Sequence, residues 1–201
     1  MLKLTKNELR DQEHKLQQLQ QYLPTLQLKK AMLQTEVNQV GYEITKLTQS
    51  YHRKKATCES FQLLLADSEA ITLLEAIRVD KVERWYENVA GAAIPYFKGV
   101  TFISSSYSLF HTPLWVDSGI QQLKALLAAK AELGIAKEKL AILEGELREV
   151  SIRVNLFEKI LIPRTQRNIK KIRVFLGDQE LAFIAQAKIA KAKILLSLIH
   201  I

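Results

Sequence analysis

The chain has 201 residues, a formal net charge of +8, one cysteine, seven glycines and four prolines. A single cysteine excludes an internal disulfide and points to a reducing, intracellular setting, while so few glycines and prolines leave few places to turn and demand long elements. The opening MLKLTKNELRDQEHK lacks the apolar core of a secretory signal, and no uninterrupted apolar run reaches the about 18 residues of a membrane-spanning helix.

In chain order, the first element is a long helix. Thr5-Lys6-Asn7-Glu8 has the form of a capping box, with Leu4 and Leu9 placed as a hydrophobic staple, so the spacing predicts a helix from near Thr5. A strict 3,4 spacing then runs through Leu16, Leu19, Leu23, Leu26, Lys30, Leu33, Val37, Val40, Ile44, Leu47 and Tyr51, and on through Cys58, Phe61 and Leu65. Such sustained spacing is the signature of a coiled-coil seam. A helix reaching into the 70s would extend roughly 100 Å. Lys30 on the seam either fixes register or snorkels outward.

Residues 77–116 differ in character. Residues 77–89 (IRVDKVERWYENV) predict a short helix, and two short strands fit around Ala92–Phe97 or Val100–Ile103 and around Tyr107–Phe110. Pro95 would then have to sit on a sheet edge.

The last third repeats the seam through Leu126, Ala129, Leu133, Ala136, Leu140, Leu143, Leu147, Val150, Val154, Phe157 and Leu161, with Asp117 or Ser118 as the cap. Beyond Pro163 the register shifts, and Ile169, Ile172, Leu176 and Phe183 carry a new stripe. The predicted fold is mainly α: a long two-stranded antiparallel coiled coil of N-terminal (1–76) and C-terminal (117–201) helices, with a central module (77–116) holding a short helix and a β-hairpin. Pairing would match residues whose numbers sum to roughly 190–200, a tethered association favoured by high effective concentration. Pro24 would then fall opposite residue ~170, close to Pro163, and two proline defects at similar height predict a shared bend.

No catalytic site is expected. There is no phosphate-binding glycine loop, and His14, His52, His111 and His200 share no metal-ligand spacing with one another or with Cys58. Cys58 falls on the seam, as a packed thiol. The carboxylates lie among lysines along helices, without a pocket to tune them. No cofactor is expected. The C-terminal KAKILLSLIHI spreads Ile194, Leu195, Leu196, Leu198, Ile199 and Ile201 around the helix, more apolar surface than a two-helix tip can bury, which predicts that the tip sits inside another protein.

The stretch NLFEKILIPRTQRNIKKIRVFLGDQE resembles the signature of the D-subunit of the V-type and A-type rotary ATPases, through Asn155, Ile162, Pro163, Arg164, Ile169 and Ile172. The segment TLQLKKAMLQTEV is similar to the family's leucine-lysine-lysine segment, through Leu26, Leu28, Lys29, Lys30 and Leu33. The resemblance covers essentially the whole chain and favours the bacterial or archaeal form. It implies a non-catalytic central rotor shaft whose tip enters the ring of A and B subunits. The small F-subunit would lie along the shaft, and a socket subunit above the membrane rotor ring would meet the central module. ATP hydrolysis in the ring would drive H+ or Na+ transport, or the reverse would make ATP, in a cytoplasmic sector peripheral to the membrane. On that reading Pro24 and Pro163 shape the shaft, and Arg164, Arg167 and Lys171 face the ring or form a solvated stripe.

Two other readings fit the composition. A helical-hairpin scaffold or secretion-type protein would have the central module as its tip. A nucleic-acid-binding coiled coil would exploit the positive charge, but its aromatics are not interleaved with the basic clusters as a stacking platform requires.

Overall fold

A computed structural model describes residues 2–60, 77–103 and 115–199. The elements are α1 (Lys6–Glu59), β1 (Val79–Val89), β2 (Ala92–Phe102), α2 (Trp115–Asn155), a π-helical turn (Leu156–Leu161) and α3 (Ile162–Ile199). They form two compact units, one of residues 29–149 and one of residues 1–28 with 150–201. The predicted continuation of α1 through Phe61 and Leu65, and the predicted strand Tyr107–Phe110, lie outside the described residues.

α1 starts where the sequence marks it. The Thr5 hydroxyl oxygen accepts a hydrogen bond from the Glu8 backbone N–H at 3.3 Å, satisfying one of the four free donors of the first turn. The Glu8 carboxylate accepts from the Gln12 side-chain amide at 2.9 Å. Every predicted seam residue of α1 from Leu16 to Tyr51 is buried or half-buried, with Leu33 and Val40 fully enclosed. The same is true of α2 and the π turn from Leu126 to Leu161. α2 begins at Trp115, so Asp117 and Ser118 fall inside its first turn rather than at a cap. Trp115 and Ile77 pack on Val116 and Ile120, and that cluster anchors the start of the helix.

The central unit corrects the reading of residues 77–89. Residues 79–89 of this stretch form strand β1, paired antiparallel with β2 from Val79↔Phe102 to Val89↔Ala92. The two-residue turn is Ala90-Gly91, with φ of 52° and 89°, the pair of left-handed conformations that suits the twist of a tight hairpin. The Asn88 side-chain oxygen accepts from the Gly91 N–H at 2.8 Å and holds the turn closed. Val79, Val82, Trp85, Tyr86 and Val89 happen to fall at helical spacing, which hides the strand. Cross-strand contacts decide instead: Trp85 stacks on Tyr96 at 4.6 Å between ring centroids. Both strands are edges, so Pro95 costs the ladder no essential donor. Lys98 is the extra residue of a bulge between Glu83↔Gly99 and Arg84↔Phe97.

Gly91 offers a test of the turn. A Cβ there would meet only the end of the Lys29 side chain, at 3.5 Å, so a substitution is penalised by conformation rather than by collision. Gly91→Ala is expected to cost about 1 kcal/mol in urea unfolding, from the left-handed backbone alone.

The terminal unit carries the C-terminal helix. Val150, Val154, Thr165, Ile169 and Ile172 are its buried residues on that side. Asn168 donates from its side-chain amide to Gln12 at 3.4 Å, and Arg173 pairs with Glu13. These bonds set an antiparallel stagger about ten residues tighter than the sequence pattern predicts. A heptad seam can slide by whole repeats without losing its apolar match, so the flanking polar pairs select the register. Counting twelve residues on from Gln12 and back from Asn168, or eleven from Glu13 and Arg173, places Pro24 level with residues 156–162. Pro24 therefore lies level with the π turn itself.

Candidate functional site

The stagger has a direct consequence at the chain ends. Counting outward from the same two bonds, the start of α1 at Lys6 lies level with residues 174–180, whereas α3 continues to Ile199. Every residue from Asp178 to Leu195 is exposed, among them Leu181, Phe183, Ile184, Ile189, Ile194 and Leu195. At 100° per residue these six point to nearly all sides of the helix. The stripe predicted through Phe183 stops before it: Ile169 and Ile172 are buried, Leu176 is half-buried, but Phe183 is 66% exposed because α1 has already ended. Sequence reasoning finds the apolar tip at Ile194 and Leu195 and misses its extension back to Leu181. The side chains of Leu196, Leu198 and Ile199 lie outside the described set.

The charge of this helix is one-sided. Between Glu158 and Asp178 the chain carries Lys159, Arg164, Arg167, Lys170, Lys171 and Arg173 and no acid; beyond Glu180 it carries Lys188, Lys191 and Lys193 and no acid. Arg164, Arg167 and Lys171 are all exposed, and the Arg167 Nε donates to the Pro163 carbonyl at 3.3 Å. Pro163 is half-buried and Pro24 exposed. The seam residues Leu16, Leu23, Leu26, Val37, Leu140, Leu147 and Leu161 are half-buried, and Leu19, Leu33 and Val154 are buried.

The central unit holds its hairpin with charge as well as packing. Ala92, Ile94 and Pro95 are buried, and the Lys139 ammonium of α2 sits 4.1 Å from the centre of the Tyr96 ring and 3.4 Å from the Glu43 carboxylate of α1. Lys139 is only 6% exposed. Arg84 of β1 pairs with Glu138 of α2 at 3.3 Å, and Lys124 lies 5.5 Å from the Phe102 ring centre. One strand pair is thus tied to both helices by a lysine that sequence inspection alone does not distinguish from its neighbours.

Among the described residues, no group of three or more His, Cys, Asp or Glu side chains is placed to hold a metal ion. Cys58 is half-buried, and burial raises its thiol above the ordinary pKa, which keeps it protonated rather than as the nucleophilic thiolate.

Comparison with known proteins agrees with this geometry. The family of ATP synthase D-subunits matches residues 8–192. The chain is 43% identical over 194 residues to the V-type ATP synthase D-subunit of Chlamydia abortus, covering 96% of this chain and 93% of the relative. It is 44% identical over 197 residues to that of Chlamydia trachomatis serovar L2, covering 96% of each. With long terminal helices, a central two-stranded hairpin and a family match spanning nearly its whole length, the chain belongs to the D-subunit family of V-type ATP synthases.

Proposed function

We propose that the chain is the non-catalytic rotor shaft of its complex, carrying torque between a ring of catalytic A and B subunits and the membrane rotor. The observation that carries this reading is the exposed end of α3. Large apolar side chains left exposed on several sides of a helix mark a surface meant to be covered, and no described part of its own unit encloses residues 178–195. A collar of ring subunits closing around the tip would bury Leu181, Phe183, Ile184, Ile189, Ile194 and Leu195. Acidic groups of that collar would answer Arg164, Arg167 and Lys171. The F-subunit is assigned to the side of the helix pair, and a socket subunit to the central module. No described helix is long and apolar enough to cross a membrane, which fits attachment through partners in a peripheral, cytoplasmic sector.

Pro163 supplies a test of the mechanical part. On this reading the proline and the turn before it make the shaft eccentric, so that its rotation drives the catalytic sites through different states. Pro163→Ala restores a backbone donor and is expected to leave the isolated chain at least as stable. In the reassembled complex the ratio of ions pumped to ATP hydrolysed should fall. Unchanged turnover and pumping would reject a mechanical role for this position.

A further inference from the structure

The π turn has a sequence logic that the coiled-coil pattern exposes. Up to Leu161 the seam follows strict 3,4 spacing, and its continuation would fall on Arg164, Asn168 and Lys171. The residues actually buried are Thr165, Ile169 and Ile172, each one position later. One residue turns an α-helix by 100°, so an uninterrupted helix would carry the apolar stripe off the helix pair and face three polar residues toward it. The π turn absorbs that difference. It spans Leu156–Leu161 and closes with the Ile162 N–H donating to the Phe157 carbonyl, five residues back instead of four. A π turn holds one residue more than the α turn it replaces.

Pro163, two residues beyond the turn, fixes its position. The proline has no N–H to donate, and in a regular α-helix its ring would press on the carbonyl of Lys159, four residues earlier. A widened turn ending at Leu161 relaxes that contact. The helix ladder is therefore interrupted twice within one turn, by the five-residue closure and by the missing proline donor.

We infer that the π turn is a one-residue insert pinned by Pro163: a conformational device encoded in the sequence, separable from the fold, and the point at which the paired part of the C-terminal helix opens first. The wild-type apolar stripe selects the turn, because the alternative without it buries Arg164, Asn168 and Lys171. Removing any one residue of the turn cancels the insert. The seam then reads Val150, Val154, Phe157 and onward to the shifted Thr165, Ile169 and Ile172 with unbroken 3,4 spacing.

The experiment compares two single-residue deletions in the full chain carrying Pro163→Ala, by thermal unfolding and by amide hydrogen exchange. Deletion of Lys159 is expected to give a midpoint equal to or above that of Pro163→Ala alone, whereas the same deletion with Pro163 kept returns the ring to a regular helical turn and is expected to lower the midpoint. Deletion of Arg148 instead turns Val150 and Val154 off the seam and is expected to lower the midpoint by about 5 °C or more. In the parent, amides around 158–162 should exchange at least tenfold faster than those two turns away on either side. In the Lys159 deletion combined with Pro163→Ala, that difference should disappear. A Lys159 deletion that loses as much stability as the Arg148 deletion would overturn the inference, and so would uniform protection across 150–170 in the parent.

Discussion

Truncation after Gly177 is expected to leave the remaining chain as stable as the parent while removing its productive engagement with the catalytic ring. The residues lost, 178–201, include none between Asp178 and Leu195 that is buried against the rest of the chain. Their contribution to the folded state is therefore small, and solubility should improve because six large apolar side chains leave the surface. In the assembled complex the balance reverses. Each of those side chains is worth about 1.5–3 kcal/mol when fully enclosed, and although association and side-chain ordering offset part of this, the surplus should be large. A loss of ring affinity on the order of a hundredfold or more corresponds to about 2.7 kcal/mol, less than two such side chains. The checks are the thermal midpoint of the isolated chain and the affinity for reconstituted rings of A and B subunits. Parental ring affinity in the truncated chain would remove the tip from the proposed function.

The same helix shows what a sequence can and cannot reveal. Seam residues are legible because apolar spacing is a local property of one helix: Leu33, Val40, Leu143 and Val150 are all recognisable from their intervals and are all buried. Stagger is not local. It depends on which polar residues meet across the pair, and the contacts of Gln12 with Asn168 and Glu13 with Arg173 cannot be chosen from spacing when the seam fits equally well a heptad away. The shift beyond Pro163 is visible as a change of phase, but whether a kink or an inserted residue causes it depends on backbone closure, settled by the bond from Ile162 to Phe157. Strand β1 reads as a helix because its apolar residues satisfy a helical interval. Its turn also lacks the Asn-Gly pair that advertises a tight hairpin, using Ala90 in a left-handed conformation that alanine rarely adopts. The exposed tip is recognisable in sequence only where apolar residues are densest; its true extent depends on where α1 stops.

Charge reversal at Lys139 is expected to produce the largest stability loss of any single substitution in the central unit. The ammonium sits between the Tyr96 ring and the Glu43 carboxylate at 6% exposure, so its removal from water is compensated by these two partners together. Lys139→Glu would leave a carboxylate facing the electron-rich ring and a second carboxylate, and breaking a pair on its buried side costs about 3–5 kcal/mol. Because the lysine joins β2 to both helices, the hairpin should detach before the helices unfold. Limited proteolysis should then cut at Lys81, Arg84 or Lys98 under conditions where the parent resists. Lys139→Met separates packing from charge: it keeps an unbranched apolar stem over Tyr96 and leaves Glu43, which is half-exposed, free to solvate, so its cost should stay within about 1 kcal/mol. Glu43→Gln should likewise cost about 1 kcal/mol or less, since the ring and the enclosed stem still hold the lysine. Urea unfolding of the three variants orders them unambiguously. Lys139→Glu as stable as Lys139→Met would mean that the ammonium does not anchor the hairpin, and that Arg84 with Glu138 and the buried Ile94 suffice to hold it.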